Sequence, residues 1–231
     1  MISQPYRISL KTTWQNILSD LSRYRVTDNS SYLALFVMCP GLIAGLYYRI
    51  GHWMWYPAEL NPTFLFPLRA AYIVIKRLIE IYAGASLSPQ ARIGRGLYVG
   101  HFGSIFIGAT TIGENCTLSH EVTIGVAGRS DKRGLPQFGD RVFIGAGAKI
   151  IGPINIGNDV AVGANAVVTM DLPDCAVAVG IPAKITSYKG SFDFVLYKDM
   201  ESDPLRMNSL NERELWQSSR PSLQAREKVL P

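Results

Sequence analysis

From residue 93 onward an apolar side chain recurs every six residues. The series runs Ile93, Val99, Ile105, then Ile112, Leu118, Ile124, then Phe138, Ile144, Ile150, and last Ile156, Val162, Val168. Glycine follows most of them, at Gly94, Gly100, Gly113, Gly125, Gly139, Gly145, Gly157 and Gly163. Six is the period of neither an amphipathic helix nor an alternating strand. It fits a chain that turns a corner every six residues, three corners to a coil, with backbone hydrogen bonds running to the next coil. The predicted fold is mainly β, a left-handed parallel β-helix preceded by an α-helical region.

The period breaks twice. Seven residues separate Ile105 from Ile112, which puts a one-residue bulge at a corner, and fourteen separate Ile124 from Phe138. The stretch GVAGRSDKRGLPQ (125–137) is therefore an extruded loop. Residues 1–84 form the helical region, 85–186 the β-helix and 187–231 a polar tail, loose apart from one short helix around Leu210 to Gln217. Within the first region TTWQNILSDLSRYR has an amphipathic pattern. The uncharged run SSYLALFVMCPGLIAGLYY (30–48) is interrupted by Pro40-Gly41, which favours two short buried helices over a membrane crossing. An apolar helix with Arg69, Lys76 and Arg77 follows, so residues 30–82 could make shallow peripheral contact with a membrane.

Composition narrows the class. The 231 residues are 48% hydrophobic, enough for a true core. A net charge of +5 comes partly from the C-terminal tail and argues for an anionic ligand, while no nucleic-acid motif is present. Three cysteines without a C-x-x-C pair indicate neither a disulfide framework nor a zinc site. With no signal-peptide pattern at the N-terminus, a cytoplasmic location is expected, at the inner face of the membrane if residues 30–82 touch it.

The repeat also places two of the three histidines. His101 lies two residues after Val99 and His120 two after Leu118, and those apolar residues belong to successive coils. The imidazoles should occupy equivalent outward positions about 4.8 Å apart, the spacing of paired strands. Imidazole changes charge near neutral pH and serves as a general base. A metal site of three histidines is not expected, because His52 lies outside the repeat.

Several segments carry a resemblance: ARIGRG, ENCTLSHEVTIG, IGAGAKIIG, VAVGANAVV and AVGIPAKI, with YRIGHWMW (48–55) in the helical part. Across residues 45–186 the chain resembles the hexapeptide-repeat acyltransferases. Within them it resembles the serine acetyltransferases and their relatives of the exopolysaccharide and colanic-acid type. The resemblance implies acetyl-CoA as cosubstrate, no metal, and a homotrimer or dimer of trimers with active sites between neighbouring prisms. It implies a histidine base that deprotonates an acceptor hydroxyl, either His101 or His120, with His101 favoured and His120 then binding or assisting, and with Glu121 and Ser86 supporting. Ala146 and Ala164 would line the coenzyme A arm, Gly128 would lie near the thioester, and Lys184 would reach the phosphates. Three departures stand out: Ser86 in ASLSP replaces the orienting aspartate, Gly100 replaces the aspartate before the histidine, and Leu135 replaces a second histidine after the loop. With His120-Glu121 in the pattern of the polysaccharide-modifying relatives, a saccharide hydroxyl is the expected acceptor. Serine O-acetylation and a non-catalytic scaffold are the alternatives.

Overall fold

The computed structural model describes residues 6–28, 31–130 and 133–218. Three sheets form the walls of a triangular prism. The first stacks β1 (Ala85–Leu87), β4 (Ile105–Ile107), β7 (Thr123–Gly125), β10 (Lys149–Ile151) and β13 (Val167–Val168). The second stacks β2 (Arg92–Ile93), β5 (Thr111–Ile112), β8 (Gln137–Phe138) and β11 (Asn155–Ile156). The third stacks β3 (Tyr98–Val99), β6 (Thr117–Leu118), β9 (Phe143–Ile144), β12 (Ala161–Val162) and β14 (Val177–Val179). These pair in parallel, and β15 (Lys184–Ser187) closes the third wall antiparallel to β14. The result is the predicted left-handed β-helix, of about five turns.

All twelve residues of the hexad series are inside, each at most 6% exposed. One register differs from the sequence reading. Ile107, not Ile105, stacks on Ile124, while Ile105 pairs with Ala85 of β1. The surplus residues therefore sit in the corner between β3 and β4, which carries His101, and not between Ile105 and Ile112. Residues two apart on a strand face the same way, and both isoleucines are buried, so spacing alone could not separate them.

The helical region caps the first coil. A solenoid's terminal coil has backbone groups with no coil beyond it to pair with. Here α1 (Leu10–Asp28) and α3 (Pro40–Trp55) supply side-chain partners. Arg49 donates to the Ile93 and Gly94 carbonyls, both at 2.6 Å, and forms a bidentate pair with Asp20. Asp20 also accepts from the Leu97 amide, Arg23 donates to the Gly96 carbonyl, Tyr48 to the Ala91 carbonyl, and the His52 ring to the Pro89 carbonyl. The motif YRIGHW is thus a docking strip, with Tyr48, Arg49 and His52 one helical turn apart or adjacent on the buried side of α3.

Two parts of the helical reading change. The run 30–48 does break at Pro40, into α2 (Tyr32–Met38) and α3 at 95° to each other, but α2 is not buried: only its Leu35 is. The tail is not loose as far as residue 218. Phe192, Val195 and Tyr197 pack inside, Phe194 stacks on Phe143 of β9, and α5 (Pro204–Ser218) is held by Arg206, which donates to the Phe192 and Val195 carbonyls. Scattered aromatic residues in a polar stretch concealed that anchoring.

Candidate functional site

The corner where the third wall turns into the first carries the predicted site residues in a column. His101, His120, Ala146 and Ala164 each stand two residues beyond the inward residues Val99, Leu118, Ile144 and Val162, which stack in register. The backbone ladder continues through the corner: Gly147 donates to the His120 carbonyl at 3.0 Å and Asn165 to the Ala146 carbonyl at 2.7 Å. The two histidines and the two alanines, placed in the sequence by separate arguments, line one edge of the prism. Close approach of the coils there needs glycine: a Cβ on Gly145 would lie 2.8 Å from the Ala164 amide nitrogen.

The imidazoles meet edge to face, with ring centroids 5.6 Å apart and planes at 76°. His101 is exposed, and its φ of +63° is unusual for a side-chain-bearing residue. In later coils the left-handed corner residue comes one position later, at Glu121, Gly147 and Asn165. The extra residues of the first corner thus re-aim His101 relative to the regular rung. Gly84 packs under this corner, where a Cβ would come within 2.8 Å of the Gly103 Cα. His120 is half-buried, and its Nδ1 is buried with no hydrogen-bond partner among the described residues.

Glu121 and Ser86 stand otherwise than as partners of the histidines. Glu121 occupies the left-handed corner position with its side chain exposed, and its carbonyl accepts from Lys149. Ser86, on the outer face of β1, donates to Glu80 at 2.5 Å. Glu80 belongs to α4 (Phe66–Ala83) and also pairs with Lys76 and Arg77. Burial pushes the Glu80 carboxyl up, but the Lys76, Ser86 and Arg77 donors outweigh it and leave the group below its ordinary value. Among the described residues no carboxylate hydrogen-bonds either imidazole.

Gly128 is not brought to the histidines within one chain. The extruded loop leaves after β7, at the corner between the first and second walls, whereas His120 precedes β7. The loop is closed at its base by mutual hydrogen bonds between Ala127 and Gly134, and Gly128 is exposed with a φ of +92°. Leu135 lies against Gly108, 3.0 Å from where a Cβ would stand. At the far end of the column Gly180 takes the corner position, its carbonyl accepting from Val167, and exposed Lys184 begins β15 beyond it.

One feature of the site had no sequence signal. A cavity of about 270 Å³ opens beside His101, walled by Tyr24 and Asp28 of α1, Leu35 and Met38 of α2, and Tyr98 of β3. It depends on helices folding back over the first coil, which spacing within the repeat does not encode. Burial pushes the Cys116 and Cys175 thiols up to about 12, and burial with the nearby Asp28 raises the thiol of half-buried Cys39 on the wall of the same cavity. Among the described residues no group of His, Cys, Asp or Glu could hold a metal ion.

Paired imidazoles at the head of a column of small residues suit deprotonating a hydroxyl beside an extended thioester. Comparison with known proteins agrees. Residues 136–169 match the family model described as bacterial transferase hexapeptide (six repeats). The chain is 41% identical over 151 residues to the serine acetyltransferase of Helicobacter pylori strain J99, covering 65% of this chain and 83% of that protein. It is 36% identical over 188 residues to the serine acetyltransferase of Mycobacterium tuberculosis H37Rv, covering 77% of each. Among solved structures, soybean serine acetyltransferase complexed with serine superposes with a TM-score of 0.66 at 31% identity, over 76% of this chain and 70% of that one.

Proposed function

The chain belongs to the serine acetyltransferase family of hexapeptide acyltransferases, and from that premise we propose that it transfers acetyl from acetyl-CoA to an acceptor hydroxyl with His101 as general base. The observation that carries the reading is the edge-to-face pair of His101 and His120 at the head of the column that continues through Ala146 and Ala164. The His101 imidazole takes the hydroxyl proton as the oxygen attacks the thioester carbonyl carbon. The C–S bond then breaks, and the proton passes to the leaving thiolate. No acyl-enzyme forms. His120 holds the His101 ring edge-on and restricts its orientation. Ala146 and Ala164 leave room for the pantetheine arm, and Lys184 supplies a point charge for the phosphates.

L-Serine is the acceptor that the relatives' names support. A saccharide hydroxyl is the second reading, favoured by one observation: Ser86, where the resemblance places an orienting carboxylate, is committed to Glu80 and leaves that carboxylate role unfilled at the histidines. A homotrimer suits either acceptor, because the extruded loop with Gly128 stands at a different corner from the histidines and a neighbouring prism would bring such a loop to them. Coenzyme A release measured with L-serine and with a panel of sugars tests the assignment. Turnover with serine at a rate ordinary for the family excludes the saccharide reading, and turnover with sugars alone excludes serine. Turnover with neither, together with no coenzyme A binding, leaves a scaffold.

A further inference from the structure

We infer that α4, with α2 near its C-terminal end, is a lipid-docking surface that lies in the plane of an anionic membrane face. At about 100° per residue, the exposed apolar positions of α4 run from Ile73 through Phe66, Ile81, Val74 and Leu78 to Leu68, an arc of about 220°. Each of these six is between 48% and 77% exposed. The only charged residue on that arc is Arg77. The remaining side of the helix, with Tyr72, Lys76, Ile79 and Ala83, packs against α3 and β1.

A helix that covers a core shows an apolar stripe of roughly 100° facing inward and polar residues outward. In α4 the outward side is the apolar one, and it is wider than a single packed helix would cover. An apolar medium surrounding the helix covers all of it. Charge points to the same partner. Between residues 31 and 83 the acidic residues are Glu59 and Glu80, against Arg69, Lys76, Arg77 and the internally paired Arg49; Glu80 pairs with both Lys76 and Arg77, and the Arg77 side chain stays 75% exposed on the apolar arc. Such an amphipathic surface, with net positive charge and an exposed Arg77, matches anionic headgroups.

The neighbouring elements extend the face. Arg69 donates to the Met54 carbonyl and Tyr72 stacks on Tyr47, so α4 runs antiparallel to α3 and ends near the start of α3, where α2 joins. On α2, Leu33, Val37 and Met38 are 69% to 78% exposed. No single described helix is long and apolar enough to cross a membrane, and α3, the longer half of the bent α2–α3 pair, is committed to the solenoid, so the helices lie on the surface and do not span it. Because α2 also walls the cavity beside His101, docking sets that cavity close to the lipid headgroups. The inference holds whichever acceptor is used.

Co-sedimentation of the full chain with vesicles of phosphatidylcholine, alone or mixed with phosphatidylglycerol, tests it. The wild type should pellet with the mixed vesicles. Val74→Glu combined with Leu78→Glu, both on exposed positions, should weaken that binding at least roughly ten-fold while circular dichroism and coenzyme A release stay at wild-type levels. Arg77→Glu and added salt should weaken binding only to the phosphatidylglycerol vesicles. A wild type that stays in solution with both vesicle types overturns the proposal, as does a double variant that binds unchanged. Self-association that the double variant abolishes, without vesicle binding by either protein, assigns α4 to a second copy and overturns it equally.

Discussion

The phenol of Tyr24 closes both backbone groups of Val99: its oxygen donates to the carbonyl and accepts from the amide, each at 2.9 Å. Val99 is the last residue of β3, and His101 stands two residues beyond it. One side chain of α1 therefore replaces a missing coil and fixes the start of the corner that aims the base. Tyr24→Phe leaves a buried N–H and C=O unpaired, at a cost of about 1–3 kcal/mol. For a chain of this size the melting temperature should fall by about 2–4 °C per kcal/mol. Turnover should fall as well, since the corner loses its support. A variant that melts lower yet keeps full kcat would separate the cap from the site.

Removing each imidazole in turn is the direct test of the chemistry. His101→Ala should lower kcat roughly 100- to 10,000-fold, the ordinary worth of a positioned general base, with little change in the KM for acetyl-CoA. His120→Ala should lower kcat by less, because its ring acts through His101. Stopped assays of coenzyme A release measure both. Equal and small effects in the two variants would remove imidazole catalysis from the mechanism.

The proposed coenzyme A path along the small-residue column is tested by adding bulk to it. Ala164 is exposed and occupies the same corner as the histidines two coils further on, so Ala164→Leu adds bulk without disturbing the core. We expect thermal stability unchanged within about 0.5 kcal/mol and kcat/KM for acetyl-CoA reduced roughly ten- to hundred-fold. Isothermal titration with coenzyme A reads the binding loss separately from turnover.

The wall-forming residues were legible because a solenoid repeats one local rule: Leu118, Ile144 and Val162 all obey it and are all buried. The column of His101, His120, Ala146 and Ala164 follows from counting along the same rule. Counting failed where the rule is locally degenerate, at Ile105 and Ile107, and so misplaced the irregular corner. It could not reach what depends on elements far apart in sequence. Tyr24 meets Val99 across 75 residues. The capture of Ser86 by Glu80 needs α4 to pack on β1 at a particular rotation, which no spacing specifies.

His52 gives the capping strip a pH signature. It is 2% exposed, its Nδ1 donates to the Pro89 carbonyl, and the Tyr6 hydroxyl bonds its Nε2. Burial holds its pKa below the ordinary value, the Pro89 bond opposes this, and Arg49 and Arg92 reinforce it. In the unfolded chain the imidazole titrates near about 6.5. Below that pH the unfolded state takes up a proton that the folded state refuses, so stability falls as pH falls and the contribution is complete above it. The His52 contribution to melting temperature should therefore be lost as pH falls from about 7 to about 5. His52→Gln should start lower, having lost the ring's packing, and show a flatter slope over that window. Melting curves of both proteins across the window decide the matter, and parallel slopes would show that His52 is not the group responsible.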